Sequence, residues 1–284
     1  MNLSDIKQRP HWSYSSLNQL LNICSLQYYF QRIAKLKPAF ASINLVLGSA
    51  YHRTLEQIYL ARKNGAVFAR DSALKFFTAS WRLAVKDQDV RFGKLTAEET
   101  EDQGRKLIAC CIENIPKDEE ILSISEPFVV PVTLRGQFME LPLVGEFDLT
   151  VRRDSKVSVV DWKTSGTRWS LGQADKSLQA TIYTYAYQQK FAINPDVRFD
   201  VTVKNKTPVF EQHPTTRAPD SWERMALLVS KAEQVVKHQC FYPAESSFYC
   251  GDCAFSGACK AWHRESRDQA TKVSGQKAES AIAA

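Results

Sequence analysis

Hydrophobic side chains recur at a helical period over the first 120 residues of the chain. Residues 13–36 carry leucines and aromatic residues on one face behind a serine cap, and residues 44–65 repeat this pattern up to an Asn-Gly stop. Two further amphipathic stretches cover residues 70–86 and 97–115. The pattern therefore predicts a mostly helical region over residues 13–120.

After residue 120 the period changes to that of β-strands. Runs rich in Val, Ile, Leu and Phe predict three strands, and the second and third are joined by a short hairpin turn. The predicted strands cover residues 124–134, 139–153 and 156–164. A helix is predicted at 175–191, a strand at 196–205 and a last helix at 219–240. This order predicts an α/β fold with an added helical region.

Length and composition place few limits on the function. The chain has 284 residues, 44% of them hydrophobic, which suffices for one substantial domain or a core with an added lobe. No apolar run approaches the roughly 20 residues of a membrane span, and the first residues lack the apolar segment of a secretion signal. We expect a soluble, cytoplasmic protein with no membrane partner. Residues 265–284 are polar and rich in small side chains, which predicts a disordered tail.

The balance of charge is mildly basic. The chain has 37 Lys and Arg against 31 Asp and Glu, a formal net charge of +6. This balance permits a polyanionic partner without requiring one.

The segment VGEFDLTVRRDSKVSVVDWKTSG places acids and a lysine at strand positions. Asp148 lies in one strand of the predicted hairpin, and Asp161 and Lys163 lie at the end of the next. Strand alternation puts Asp161 and Lys163 on one face, with Trp162 opposite. Two carboxylates that hold Mg²⁺ or Mn²⁺ beside a lysine suit metal-assisted phosphodiester hydrolysis. Taken alone, a D-x-K triplet is more often an exposed ion pair at a strand end.

Two predicted helices add further polar residues. His52 and Glu56 share one helix face, and an imidazole ligand would favour Mn²⁺ over Mg²⁺. A single helical histidine more often serves as a core or capping residue. Gln179 and Tyr183, at i and i+4 on the helix after the D-x-K strand, can hydrogen-bond a phosphate or a neighbouring site residue.

In chain order these motifs read G-x-x-x-H, G-x-x-D, D-x-K and Q-x-x-x-Y. In this order the sequence resembles the RecB-like exonucleases of the PD-(D/E)XK superfamily. The matching positions are Gly48, His52, Gly145, Asp148, Asp161, Lys163, Gln179 and Tyr183. The resemblance implies a restriction-endonuclease-like core, a mixed β-sheet flanked by helices. It also implies a DNA exonuclease that depends on Mg²⁺ or Mn²⁺ and acts on single strands or DNA ends.

The resemblance also implies a role for each matching residue. Metal ligands would be three side chains and one backbone carbonyl, those of His52, Asp148, Asp161 and Trp162. Lys163 would be the catalytic lysine, with Gln179 and Tyr183 in support. Many relatives have Glu where this chain has Asp161, and either carboxylate binds a metal.

Basic and aromatic residues near the predicted core suit a nucleic-acid channel, because cations contact phosphates and aromatic faces stack on bases. The candidates are Lys204, Lys206, Arg168 and Trp169. A solvated basic surface with a core tryptophan explains each of them equally well.

A cysteine cluster lies near the C-terminus. The chain has seven cysteines, and Cys250, Cys253 and Cys259 are spaced C-x2-C-x5-C. In a reducing compartment this clustering favours metal ligands over disulfides. His263 would complete a zinc site locally, whereas Cys24 would complete a site of four thiolates from the first helix.

A distant cysteine followed by C-x2-C-x5-C resembles the AddB-type nuclease domains and the CRISPR adaptation nucleases. This resemblance implies a 4Fe–4S cluster held by Cys24, Cys250, Cys253 and Cys259, with a mainly structural role. Zn²⁺ is the alternative. The expected domain is then residues 1–264, with a helical part at 13–120, a catalytic core at 121–240 and an iron–sulfur segment at 241–264.

The chain has no P-loop helicase motif. We therefore expect a standalone nuclease or one that works with separately encoded helicase or CRISPR adaptation proteins, in DNA repair, recombination or spacer acquisition. Two other functions remain open. One is a catalytically inactive nuclease fold that binds DNA in a repair assembly, and the other is a zinc-stabilised interaction protein.

Overall fold

The computed structural model describes residues 8–245 and 248–262, together with the single residues 6 and 264. The chain divides into two compact units. The first joins Met1–Tyr14 to Phe40–Lys231, and the second joins Ser15–Ala39 to Ala232–Ala284. The expected disordered tail, 265–284, lies outside the described residues. No helix in the described part is long and apolar enough to cross a membrane.

Three helices and two short strands begin the first unit. They are β1 (Ala41–Ser42), α1 (Ile43–Lys63), α2 (Arg70–Lys86), β2 (Val90–Arg91) and α3 (Ala97–Asn114). Helix α1 stops before Gly65, whose φ of 72° favours glycine. Helix α3 starts at a capping box formed by Thr96 and Glu99. These bounds confirm the three predicted helices to within two residues at each end.

A five-stranded mixed sheet forms the centre of the first unit. Its strands are β3 (Glu120–Val130), β6 (Leu143–Arg153), β7 (Lys156–Ser165), β8 (Asp196–Val203) and β9 (Val209–Thr215), in the spatial order β3-β6-β7-β8-β9. Strands β7 and β8 are parallel and the other neighbours antiparallel. The short strands β4 (Thr133–Leu134) and β5 (Gln137–Phe138) pair separately. The predicted α/β class is confirmed.

The predicted hairpin between β6 and β7 forms as expected. Asp154 and Ser155 both have positive φ, the geometry of a tight two-residue turn. Strand β9, by contrast, was not predicted. It lies at the sheet edge and contains Pro214, a residue that edge strands tolerate and that weakens the strand pattern in the sequence.

The main core lies between the first three helices and the sheet. Apolar side chains from α1, α2 and α3 pack with sheet residues that include Leu149, Val160 and Trp162. Helix α4 (Leu178–Phe191) connects the parallel strands β7 and β8, and Ser177 caps it. Its residues 179–187 are all buried, and Tyr183 packs on Phe147 of β6. Helix α5 (Pro219–Lys237) follows β9.

The second unit contains the first helical segment, which is interrupted at Cys24. This residue is extended, with φ −167° and ψ 119°, and its thiol caps the next turn by accepting the Gln27 backbone N–H at 3.4 Å. The single helix predicted over residues 13–36 is therefore two helical pieces. Leu26, Phe30 and Phe255 form a buried apolar cluster in this unit, and Leu17, Leu20 and Tyr28 are buried as well.

Candidate active site

The site begins where β6 and β7 separate. Backbone pairing of the two strands ends at Leu149 and Val160. Just beyond it, the Trp162 backbone N–H donates to Asp148 Oδ2 at 3.0 Å. The Asp148 carboxylate thus takes the place of a strand-to-strand hydrogen bond, directly beside the D-x-K segment.

Asp161 is almost fully buried and held on both of its oxygens. Its Oδ1 accepts hydrogen bonds from Gln179 Nε2 at 2.6 Å and from Tyr183 Oη at 2.9 Å. Its Oδ2 forms an ion pair with the Lys163 ammonium. Asp161 and Lys163 therefore share a face as predicted, while Trp162 packs into the core against Tyr59.

His52 of α1 lies against both strands. Its Nε2 is 2.7 Å from the Trp162 carbonyl oxygen, and its Nδ1 is 3.4 Å from Asp148 Oδ2. A carbonyl oxygen can only accept, so Nε2 carries a hydrogen in this arrangement. The imidazole therefore contacts both Asp148 and the Trp162 carbonyl, two of the other groups proposed as metal ligands.

The two carboxylates perturb the ionisation of their neighbours. Burial raises the pKa of Asp148 to about 6, and the charge of Asp161 adds to this, although His52 and Lys163 oppose it. Burial lowers the pKa of Lys163, but the charges of Asp161 and Asp148 outweigh it and leave that pKa above its usual value. Lys163 is therefore a cation at neutral pH.

A cavity of 480 Å³ opens beside Asp148 and His52, between α1 and the sheet. Six of its lining residues were not predicted from the sequence, namely Asn44, Leu45, Ser49, Arg53, Ser125 and Glu146. A signal existed for Glu146, because it lies two positions before Asp148 and strand alternation brings both to one side. Glu56 also lines the cavity.

The residues proposed for a nucleic-acid channel separate into two groups. Lys204 Nζ donates to Asn44 Oδ1 at 2.7 Å, which places Lys204 beside the cavity. Arg168 pairs with Glu211 of β9 at 3.2 Å, and the Trp169 ring packs against β8 and β9. Lys204 is thus near the site, while Arg168 and Trp169 stabilise the sheet edge.

Four cysteines of the second unit surround one cavity of 180 Å³. They are Cys24, Cys250, Cys253 and Cys259, the four that the sequence groups together. Burial and the neighbouring thiols raise the pKa of Cys259. His263, the alternative zinc ligand, lies outside the described residues. In the described part of the chain, no three His, Cys, Asp or Glu side chains form a group able to hold a metal ion.

The mixed sheet, its flanking helices and the acids and lysine within β6 and β7, where the pairing of these strands stops, define a restriction-endonuclease-like fold. The family model of the PD-(D/E)XK nuclease superfamily matches residues 11–260, and the chain belongs to this superfamily. No curated relative matches the chain.

Two solved structures resemble the fold. An exonuclease candidate from Eubacterium rectale aligns over 92% of this chain and 90% of its own, at 15% identity and a TM-score of 0.52. The structure of SSO0001 aligns over 91% of this chain and 92% of its own, at 10% identity and a TM-score of 0.43. At 15% identity the similarity to the first of them concerns the fold alone.

Proposed function

We propose that the protein is a metal-dependent deoxyribonuclease that acts as an exonuclease on single-stranded DNA or free DNA ends. One observation carries the proposal: Asp148, Asp161 and the Trp162 carbonyl lie together where β6 and β7 separate, with His52 and a protonated Lys163 against them. The shared motif order with RecB-like exonucleases supports action at ends.

The residues of the site fit Mg²⁺ or Mn²⁺. Carboxylate and carbonyl oxygens suit both ions, and an imidazole adds preference for Mn²⁺. Two carboxylates face a single lysine ammonium here, and burial raises the pKa of Asp148, so a divalent cation would offset the cost of the buried negative charge. Mg²⁺ is commonly held by one or two carboxylates with waters and substrate phosphates, so a third side chain is not required.

In the proposed reaction, the side chains of the site have separate roles beside that of the metal. When bound, the metal would supply an activated water and offset the negative charge of the phosphate. Lys163 places a fixed positive charge where the phosphate enters. Gln179 and Tyr183 hold the Asp161 carboxylate in one orientation, and His52 fixes the position of Asp148 relative to the Trp162 carbonyl.

Cleavage of end-labelled DNA tests the proposal. Purified protein is incubated with single- and double-stranded substrates and with Mg²⁺ or Mn²⁺ in turn. We expect metal-dependent release of short products from an end, and a loss of at least roughly 100-fold in Asp161→Asn and Lys163→Ala. Asp154→Asn is the matched control, because Asp154 lies in the hairpin turn and asparagine tolerates its positive φ.

Two results would contradict the proposal. Undiminished cleavage by folded Asp161→Asn or Lys163→Ala would remove the site from the reaction. Wild-type protein that binds DNA and stays inert with both metals would instead support a non-catalytic DNA-binding module.

We further propose that the four cysteines hold a 4Fe–4S cluster. The thiols surround a cavity, whereas a tetrahedral zinc site with Zn–S bonds of about 2.3 Å needs four sulfurs converging on one point. The unit also buries few apolar side chains, seven in its described residues, and three of them, Leu26, Phe30 and Phe255, form the cluster beside the cysteines. Small units of this kind commonly depend on a metal centre for stability.

Anaerobic purification with iron, sulfide and zinc analysis tests the cluster. We expect brown protein with about four irons and four sulfides per chain, and loss of both in Cys24→Ser. Cys240→Ser is the matched control, because Cys240 is exposed and does not line the cavity. Colourless protein with one zinc per chain would favour the zinc alternative.

A further inference from the structure

Helix α1 presents a strip of mostly polar residues to the cavity beside Asp148, with Leu45 as its one large apolar member. Seven of its residues line that cavity, and they form two columns along the helix in which members are four positions apart. The columns are Asn44, Gly48, His52 and Glu56, and Leu45, Ser49 and Arg53. His52 and Glu56 belong to the acidic end of the cavity, so the rest of the strip has no role in the site described above.

Gly48 is unusual because nothing in the fold requires a glycine there. It lies inside a helix of 21 residues, where glycine is less favourable than alanine. A Cβ built at Gly48 meets no atom within 4 Å. Gly104 of α3 shows the opposite case, because a Cβ there would lie 2.1 Å from Phe77 Cζ. Packing explains Gly104 and leaves Gly48 unexplained.

The strip also carries donors suited to phosphate. Arg53 is exposed and has no partner among the residues that the structure describes. Ser49 offers an exposed hydroxyl, and Lys204 reaches the strip through its hydrogen bond to Asn44. Phosphates of nucleic acids are bound by arginine, lysine and hydroxyl side chains of this kind.

We propose that Asn44, Gly48, Ser49 and Arg53 form the track for the sugar–phosphate backbone of the strand being cut, with that backbone lying directly on α1 at Gly48. The absence of a side chain lets the strand approach the helix closely, as glycine does at other sites of close backbone approach. Arg53 then neutralises a phosphate next to the one that is cut beside the proposed metal ligands. This inference rests on the proposed nuclease function.

Gly48→Ala and Arg53→Gln test the track in the full-length protein. Binding of a fluorescent single-stranded oligonucleotide is measured by anisotropy without divalent metal. We expect Gly48→Ala to raise the melting temperature by about 2–4 °C, because alanine favours the helix, and yet to weaken DNA binding about tenfold. In cleavage assays the loss falls on KM more than on kcat.

For Arg53→Gln we expect weaker binding. The slope of log K against the logarithm of the salt concentration should become shallower by roughly 0.7, the change for one lost phosphate contact on a single strand. Lys75→Gln is the matched control, because Lys75 is exposed on α2 and does not line the cavity. It should leave the affinity unchanged.

The outcomes separate the track from the nuclease proposal. Wild-type affinity in Gly48→Ala, or a fall in its melting temperature, overturns the role of Gly48. An unchanged salt slope in Arg53→Gln, or an equal effect of Lys75→Gln, overturns the role of Arg53. If the wild type binds DNA without cutting it, the nuclease proposal fails while these binding results still decide the track.

Discussion

At the scale of single residues, Asp161 is the most constrained group of the site. It is buried, its Oδ1 accepts from Gln179 and Tyr183, and its Oδ2 faces Lys163. Hydrogen bonds to a buried charge are worth more than neutral ones, because an unpaired charge there would be costly. The two α4 side chains therefore act by holding Asp161 in place.

Removing one of these donors should weaken both the fold and the proposed metal site. We expect Tyr183→Phe to lower the free energy of unfolding by about 1–2 kcal/mol and the Mn²⁺ affinity by roughly 10-fold or more. Urea unfolding and calorimetric titration with Mn²⁺ measure the two effects. In Tyr185→Phe, which loses hydrogen bonds to Thr133 and Pro131, stability should fall while Mn²⁺ affinity stays unchanged.

The ionisation of Asp148 predicts a pH dependence of stability. A carboxyl whose pKa is higher in the folded than in the unfolded chain keeps its proton more tightly when folded. Metal-free protein should therefore lose about 1–2 kcal/mol of stability as the pH rises from about 4 to about 6. An Asp148→Asn variant keeps the groups that face Asp148, namely His52, Asp161 and Lys163. It removes only the ionisation of residue 148 itself.

Urea unfolding in EDTA at several pH values measures this effect. We expect Asp148→Asn to lose less stability than the wild type over the same pH interval. Equal losses in the two proteins would show that Asp148 does not titrate in this range.

Much of the site at residue scale follows from the sequence. Strand alternation was enough to place Asp161 and Lys163 together, and helical spacing was enough to pair Gln179 with Tyr183. The hydrogen bond from Trp162 N–H to Asp148 could not be predicted, because it depends on where the pairing of β6 and β7 stops.

At the scale of elements, two glycines let neighbouring elements pack closely. A Cβ at Gly104 of α3 would lie 2.1 Å from Phe77 of α2, and one at Gly145 of β6 would lie 2.4 Å from Phe128 of β3. Both neighbours are buried aromatic rings with little freedom to move. These glycines therefore set the distance between the elements.

Alanine at Gly104 should destabilise the protein. We expect the free energy of unfolding to fall by about 1–3 kcal/mol, because the new methyl group overpacks the contact between α2 and α3. Thermal unfolding measures the change, and Gly48→Ala provides a contrast of opposite sign on α1. A Gly104→Ala protein as stable as the wild type would show that Phe77 can move aside at no cost.

Element boundaries were predictable where local signals mark them. The Asn-Gly pair marks the end of α1, and the Thr96–Glu99 capping box marks the start of α3. Strand β9 lacked such a signal, because it is short, polar and contains Pro214. The break at Cys24 arises from contacts with residues more than 200 positions away, such as the Tyr242 carbonyl that accepts from Ser25.

At the scale of the whole molecule, the two units differ in how they are stabilised. The first has an extensive core between three helices and the sheet. The second buries only seven apolar side chains in its described residues. The second unit should therefore depend on the proposed cluster much more than the first does.

Hydrogen exchange tests this dependence. After removal of iron with a chelator in air, we expect amide protection to be lost in residues 15–39 and 232–262, while β6, β7 and β8 exchange as before. Unit-wide protection that survives iron removal would show that packing alone stabilises the second unit. Cys240→Ser should respond to the chelator as the wild type does.

The second unit also constrains how the chain can be made. Leu26 and Phe30 share their buried cluster with Phe255, which the ribosome adds more than 220 residues later. At typical elongation rates this interval lasts roughly 10–45 s, during which the early segment has no partner for its apolar side chains. The five-stranded sheet can form within that time, whereas the second unit can be completed only after Phe255 has been added. Nascent chains of this protein should therefore be clients of chaperones that bind early-emerging apolar segments.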